Sequence, residues 1–239
     1  MAQNRLGRFG MLALVAIVTI LAVSGSAFVI AGANPIEAYQ AYFITPLTRE
    51  FTLLEVLNKA TPILFTGTAV AIAFRAGYWN IGVEGQLLMG AVAAAGIGQV
   101  VDGLSPIVVL PVMIGAGALA GALWALVPAL LRVKMGIDEV VTTLLLNPVA
   151  LLIVQGLLHG PWKDPETGFP ESPRIAAAAE FPQLSEFVPL IGRSRLHLGF
   201  VIAVVLIVVA WYVLSRTSTG LRVRAVGLSP HGARFAGIR

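Results

Sequence analysis

The sequence contains no cysteine. That excludes disulfides, thiolate metal sites and thiol catalysis, and leaves the compartment open. Charge is sparse, at 12% of 239 residues, about half of the ~25% usual in a soluble domain. Enzyme signatures are missing too: there is no HExxH, no Gly-x-Ser-x-Gly elbow, no Walker-type phosphate loop and no facing pair of intramembrane aspartates. His159, His197 and His231 fall at the edges of apolar runs or in loops. Hydrolytic chemistry by this chain alone is disfavoured, and any ATP dependence must come from another chain.

What the sequence does have is apolar surface. AVILMFWYC residues make up 57% of it and the mean hydropathy is +0.87. These residues come in runs of roughly twenty, the helical span of a bilayer core. The expected fold is therefore all-α, a polytopic transmembrane bundle of about six spans, at 10–31, 60–74, 86–101, 106–131, 139–158 and 197–215. Residues 1–239 read as one transmembrane domain. The third run, "LLMGAVAAAGIG", is the weakest in hydropathy, but its small residues suit close helix packing. The first run exceeds the ~7–15 residues of a secretory signal core, which favours an uncleaved anchor.

Charge tests the topology, because Lys and Arg collect on the cytoplasmic side. With the N-terminus inside, the inner basic residues are Arg5, Arg8, Arg75, Arg132, Lys134, Arg216, Arg222, Arg224, Arg234 and Arg239. They face Glu84, Asp138 and Glu139, giving +7 inside and −3 outside, which together make the +4 of the chain. The basic pI of 9.9 then follows from topology and requires no nucleic acid.

Several features read as structural. "LTREFTLLEVLNKATP" is expected to form a short amphipathic helix, with Thr61 and Pro62 as N-cap and first residue of the second span; Ser105 and Pro106 would do the same for the fourth. Gly117 and Gly121 share one helix face. The loop 159–196, outside in this topology, carries Pro161, Pro165, Pro170, Pro173, Pro182 and Pro189. It is either an ordered cap bearing Trp162, Phe169 and Phe181 for an external partner or a plain connector.

Polar groups at membrane depth are costly and are candidates for function. In "FRAGYWNIGVEGQ", Asn80, Glu84 and Gln86 alternate with Gly77, Gly82 and Gly85. This is either a cytoplasmic turn or a broken helix lining a cavity. Asn147-Pro148 sits mid-span, where proline frees the Leu144 carbonyl and should kink the helix; Asn147 either serves the kink or lines a path. Asp138 and Glu139 read as acids capping a helix N-terminus. No metal-ligating cluster and no cofactor motif stands out.

The last stretch, "RTSTGLRVRAVGLSPHGARFAGI", is basic. Ser229 and Pro230 are placed to cap and begin a short helix suited to docking. With "FRAGYWNIGVEGQ", "GIDEVVTTLLLNPVALL" and "GPWKDPETGFPESPRI", this stretch resembles the inner-membrane permease subunits of bacterial ABC importers, in the nucleoside and simple-sugar branch. The resemblance covers almost everything from about residue 60. It implies a small-molecule solute, an ATP-binding cassette partner, a second homologous permease, an extracytoplasmic solute-binding protein and a plasma-membrane location.

By the resemblance, residues 216–239 are a cytoplasmic coupling segment with Arg222, Arg224, Gly227, Ala233, Arg234 and Gly237 on its docking surface. Asn80, Glu84, Gln86 and Asn147 become candidates for the translocation path. Asp138, Ser229 and Pro148 depart from the family pattern. Further spans are expected after the coupling segment, so the chain reads as C-terminally truncated. A nucleoside is the expected solute, with a simple sugar or branched-chain amino acid as alternatives. A secondary transporter or channel is the competing class, and an intramembrane enzyme ranks third.

Overall fold

A computed structural model describes residues 2–165, 167–188 and 194–238. Glu166, Pro189, Arg193 and Arg239 lie outside these, as do the side chains of Arg5 and Arg8. The chain runs α1 (Ala2–Ile30), α2 (Pro35–Tyr39), a π-helical turn (Gln40–Ile44), α3 (Thr45–Thr48), α4 (Glu50–Arg75) and α5 (Val83–Gly98). It continues as α6 (Pro106–Met135), α7 (Glu139–His159), a 3-10 turn (Ala177–Ala179), α8 (Leu184–Phe187), α9 (Leu198–Arg216), α10 (Ser218–Leu228) and α11 (Pro230–Phe235). No strand occurs among the described residues, in keeping with the all-α expectation. Five helices, α1 from Gly10, α4, α6, α7 and α9, are long and apolar enough to cross a membrane. The small-residue run becomes α5, a shorter apolar helix of 16 residues that rises ~24 Å.

One expected boundary moves. Thr61 and Pro62 do not open the second span, because α4 runs unbroken from Glu50 and absorbs most of the amphipathic segment. The Thr61 hydroxyl donates to the Leu57 carbonyl at 3.1 Å, one of the local adjustments that let a proline sit inside a membrane helix. Before the expected short helix at Ser229, "LRVRAVG" is helical too. It is the body of α10, started by Thr217, whose hydroxyl accepts from Gly220 N–H at 3.2 Å. The cap at Ser229 is as read, accepting from Gly232 N–H at 3.1 Å, with Pro230 first in α11.

The bundle is inside-out relative to a soluble fold. Its large aliphatic side chains stay exposed along α1, α6, α7 and α9, whereas Thr61, Asn80, Glu139 and Thr143 are buried. A solvent that wets Leu and Val leaves packing and internal hydrogen bonds to hold helices together. Accordingly, α5 is held between α6 and α7, and α4 pairs with α9. The partner of the Gly117/Gly121 face is α5: a Cβ on Gly117 would meet the Gly90 carbonyl oxygen at 3.2 Å, and one on Gly121 the Gln86 carbonyl oxygen at 3.1 Å.

The proline-rich loop is ordered against the bundle where it is described. Ala176 N–H donates to the Gly98 carbonyl at 2.8 Å, Trp162 lies against Gly96, and Leu184 N–H reaches the Leu196 carbonyl at 2.8 Å. Trp162 and Phe181 thus face inward, and Phe169 stays exposed. His197 stacks on Phe181 with centroids 5.6 Å apart, and its Nδ1 accepts from Gly199 N–H at 3.1 Å.

Two outcomes follow from this packing. A Cβ on Gly90 would lie 2.9 Å from the Gly117 carbonyl oxygen, whereas one on Gly115 meets nothing within 4 Å. Gly90→Val should therefore lower stability in detergent by about 1–3 kcal/mol, and Gly115→Ala should not; equal melting shifts for the two would refute the α5–α6 contact. Burial also lowers the His197 pKa, so its contribution is complete above the unfolded value of about 6.5 and declines as pH falls toward the folded one. Hydrogen-exchange protection at Leu184 and Gly199, corrected for intrinsic rates, should drop on acidification in the wild type. It should stay flat in His197→Asn, which can cap without titrating.

Candidate functional site

Between α4 and α5 the chain abandons helix over residues 76–82, and Asn80 there is only 7% exposed. Peptide groups in such a place need internal partners. They find them on one face of α7. Thr143, 1% exposed, accepts from Ile81 N–H at 3.2 Å through its hydroxyl. One turn later, the Asn147 carboxamide accepts from Gly85 N–H at 2.9 Å and donates to the Ile81 carbonyl at 3.0 Å. In a continued helix, Gly85 N–H and the Ile81 carbonyl would bond to each other. Asn147 is wedged between them and caps α5 from a neighbouring helix.

Asn80 adds a cap from within the segment. Its Oδ1 accepts from Gly82 N–H at 3.0 Å and from Gln86 Nε2 at 3.1 Å, while its Nδ2 donates to Gln86 Oε1 at 3.0 Å. Gly82 and Gly85 permit the approach: a Cβ at either would sit 2.8 Å from the Thr143 carbonyl oxygen or 2.9 Å from Trp124 Nε1. Of the four path candidates, Asn80, Gln86 and Asn147 are brought together. Glu84 lies on the exposed side of the first turn of α5, outside this network.

The cluster extends one turn toward the start of α7. Asp138 caps that helix, its Oδ1 accepting from Val140 N–H at 2.8 Å and Val141 N–H at 3.2 Å. Glu139 does not share that role. It is 5% exposed and pairs with Arg132 of α6 at 3.0 Å, across the turn made by left-handed Gly136. The neighbouring Tyr78 hydroxyl has no hydrogen-bond partner among the described residues. Its pKa is raised, first by burial and then by the Glu139 charge, with Arg132 opposing. Glu139, Thr143 and Asn147 stand at i, i+4 and i+8, a stripe the sequence displays; Thr143 and the Arg132 pairing were missed.

Beside the break lies a cavity of about 560 Å³ between α4, α5 and α6. Phe65, Leu87 and Met113 are among its walls, Gln86 and Thr66 are its polar side chains, and Phe181 of the loop also lines it.

The basic C-terminal stretch meets the break directly. Gly227 of α10 lies against the backbone of 75–77, so that a Cβ on Gly77, whose φ is +75°, would fall 2.9 Å from Gly227 Cα. A Cβ on Gly227 would collide with the Arg75 carbonyl oxygen. Arg222 and Arg234 are exposed, Arg224 is half-buried, and Ala233 is buried. Gly237, at φ +77°, donates its N–H to the Arg234 carbonyl at 3.0 Å and closes α11. Leu228 and Phe235, 88% and 96% exposed, are display positions the sequence reading did not pick out.

Comparison with known proteins places the chain in a family. Residues 52–239 match the family described as branched-chain amino acid transport system / permease component. The chain is 39% identical over 227 residues to a glucose ABC transporter permease of Haloferax volcanii, covering 93% of this chain and 59% of that one. It is 31% identical over 227 residues to a guanosine ABC transporter permease of Bacillus subtilis, covering 94% and 63%. With a nucleoside ABC transporter permease of Lactococcus lactis it shares 28% identity over 210 residues, covering 87% and 57%. The chain thus spans about three-fifths of the length of these relatives. No solved structure gives a significant match. With its apolar helices and a family match from residue 52 onward, this multi-pass membrane chain belongs to the branched-chain amino acid transport system permease family.

Proposed function

We propose that this chain is the membrane-spanning permease part of an ATP-driven importer, with its N-terminus and α10–α11 in the cytoplasm of a bacterial plasma membrane. The observation that carries the reading is the Gly77–Gly227 contact. It places a basic, exposed surface segment against the non-helical backbone between α4 and α5. An ATP-binding subunit docked on Arg222, Arg234, Leu228 and Phe235 would push on α10, and α10 has no clearance against the break. Such a partner drives transport only if it binds two permease states with different affinity. A second homologous permease completes the pathway, and an extracytoplasmic binding protein delivers solute on the side of residues 159–196. Hydrolysis belongs to the partner.

The solute we favour is a nucleoside. The names of the relatives do not choose, since the 39% identical one is named for glucose and the others for guanosine and nucleosides. The cavity wall supplies the argument. Aromatic and aliphatic side chains with a single carboxamide suit a flat base recognised at one edge, whereas a sugar needs many polar partners. Gln86 can serve in this way because its pairing with Asn80 leaves one amide N–H and one lone pair available. Asn80 and Asn147 act on the path by holding its backbone.

The first test is purification from native membranes. An ATP-binding cassette subunit should accompany the wild type, and Arg222→Glu/Arg234→Glu should reduce it by about ten-fold or more, which takes ~1.4 kcal/mol of lost docking energy. Gly227→Ala should retain the subunit and lose solute-stimulated ATP hydrolysis. If no ATPase travels with the wild type and uptake follows an ion gradient, the importer reading fails.

A second test addresses the wedge. Asn147→Ala leaves Gly85 N–H and the Ile81 carbonyl without their partner and should cost about 1–3 kcal/mol, read by melting in detergent. Gln86→Ala leaves Asn80 Nδ2 without its partner and should lower melting as well, but it should weaken solute binding more than Asn147→Ala does. The reverse pattern would assign the solute contact to Asn147.

A further inference from the structure

On the opposite flank from the solute cavity, α4 and α9 leave a second hollow of about 480 Å³. Small residues create it: Gly67 and Ala71 on α4 face Ala210 on α9, and a Cβ on Gly67 would meet nothing within 4 Å. From Ile63 to Arg75 the α4 wall of the hollow rises ~18 Å, a little more than the ~15 Å hydrocarbon depth of one leaflet.

The end of this groove is charged. Arg75 closes it from α4 and Arg224 from α10. Arg224 reaches the groove because the Thr217 cap turns the chain sharply after α9, where a Cβ on Gly220 would collide with the Val213 and Leu214 carbonyls. Arg224 Nε makes one long hydrogen bond, to the Gly220 carbonyl at 3.4 Å. Among the described residues, neither arginine has an acidic partner within salt-bridge distance. Trp211, exposed on α9, lines the same groove, in keeping with the indole preference for the membrane interface.

We propose that this groove is a binding site for an anionic phospholipid, one acyl chain lying between α4 and α9 and the headgroup phosphate held by Arg75 and Arg224. The occupant follows from the charge and the length together. A protein helix seated here would cover two arginines without neutralising them, and a second copy of this chain would bring arginines of its own. A soluble phosphate would satisfy the charged end and leave the apolar length empty. A phospholipid matches both, and basic pockets between membrane helices are suited to such headgroups. The lipid would also tie α10 to α4 three residues before Gly227, steadying the segment that meets the break. The site does not depend on the transport reading, because it requires only that the chain sits in a bilayer.

Native mass spectrometry of the purified chain tests this, with phosphatidylglycerol and phosphatidylethanolamine of equal acyl length added at matched concentrations. The wild type should retain phosphatidylglycerol in preference by on the order of ten-fold. Arg75→Gln/Arg224→Gln, which keeps side chains of similar length and good helix propensity, should bring the preference to about one. Gly67→Leu, filling the groove without a backbone clash, should lose both lipids at this site. Equal retention of the two lipids by the wild type, or a preference that survives the double arginine variant, would overturn the proposal. So would displacement of the lipid by millimolar glycerol phosphate, which would make this a soluble-phosphate site.

Discussion

A buried peptide group left without a partner costs free energy, and the arrangement of this molecule follows from meeting that demand at residues 76–82. The Asn147 carboxamide stands where an N–H and a carbonyl would have bonded to each other, so α5 can begin against α7 without a helical turn before it. Thr143 supports the preceding residue in the same way. Both donors and acceptors come from α7, which explains why α7 carries polar side chains on one face while the others meet an apolar solvent. The Arg132–Glu139 pair then ties the end of that face to α6.

Close approach is the other half of the arrangement. Gly82 and Gly85 let the break reach α7, Gly90, Gly117 and Gly121 let α5 lie along α6, and Gly77 with Gly227 lets α10 touch the break. Bulk points outward, where lipid tolerates it. Small residues help to keep both hollows open: Gly90, Ala91 and Gly117 in the wall of the cavity beside Gln86, and Gly67, Ala71 and Ala210 in the wall of the groove.

Much of the helical plan was legible because hydropathy and capping are local properties. The runs that became α6, α7 and α9, and the caps at Asp138 and Ser229, could be read within a few residues. The start of α4 could not, because Thr-Pro looks the same at a helix N-terminus as inside a helix whose neighbours accommodate the missing N–H. α10 escaped notice because its two glycines and β-branched valines lower helix propensity, and the helix is held by Thr217 and by packing on α4 and α9. At the site, Asn80, Gln86 and Asn147 stood out as polar groups in apolar surroundings, but what they touch depends on which helix lies beside which. Thr143 was visible as the middle member of the 139, 143, 147 stripe. Arg132 acquires its partner only through the left-handed turn at Gly136.

The meeting of Gly77 and Gly227 has a mechanical consequence. Most helix contacts are made by side chains, whose torsions can rotate and absorb a displacement of a few tenths of an ångström before the main chain feels it. Two glycines in backbone contact have no such slack. The compliance of the joint is that of the main chain itself, so a small shift of α10 reaches the break with little attenuation, and the joint is stiff in compression while nothing in it resists being pulled apart.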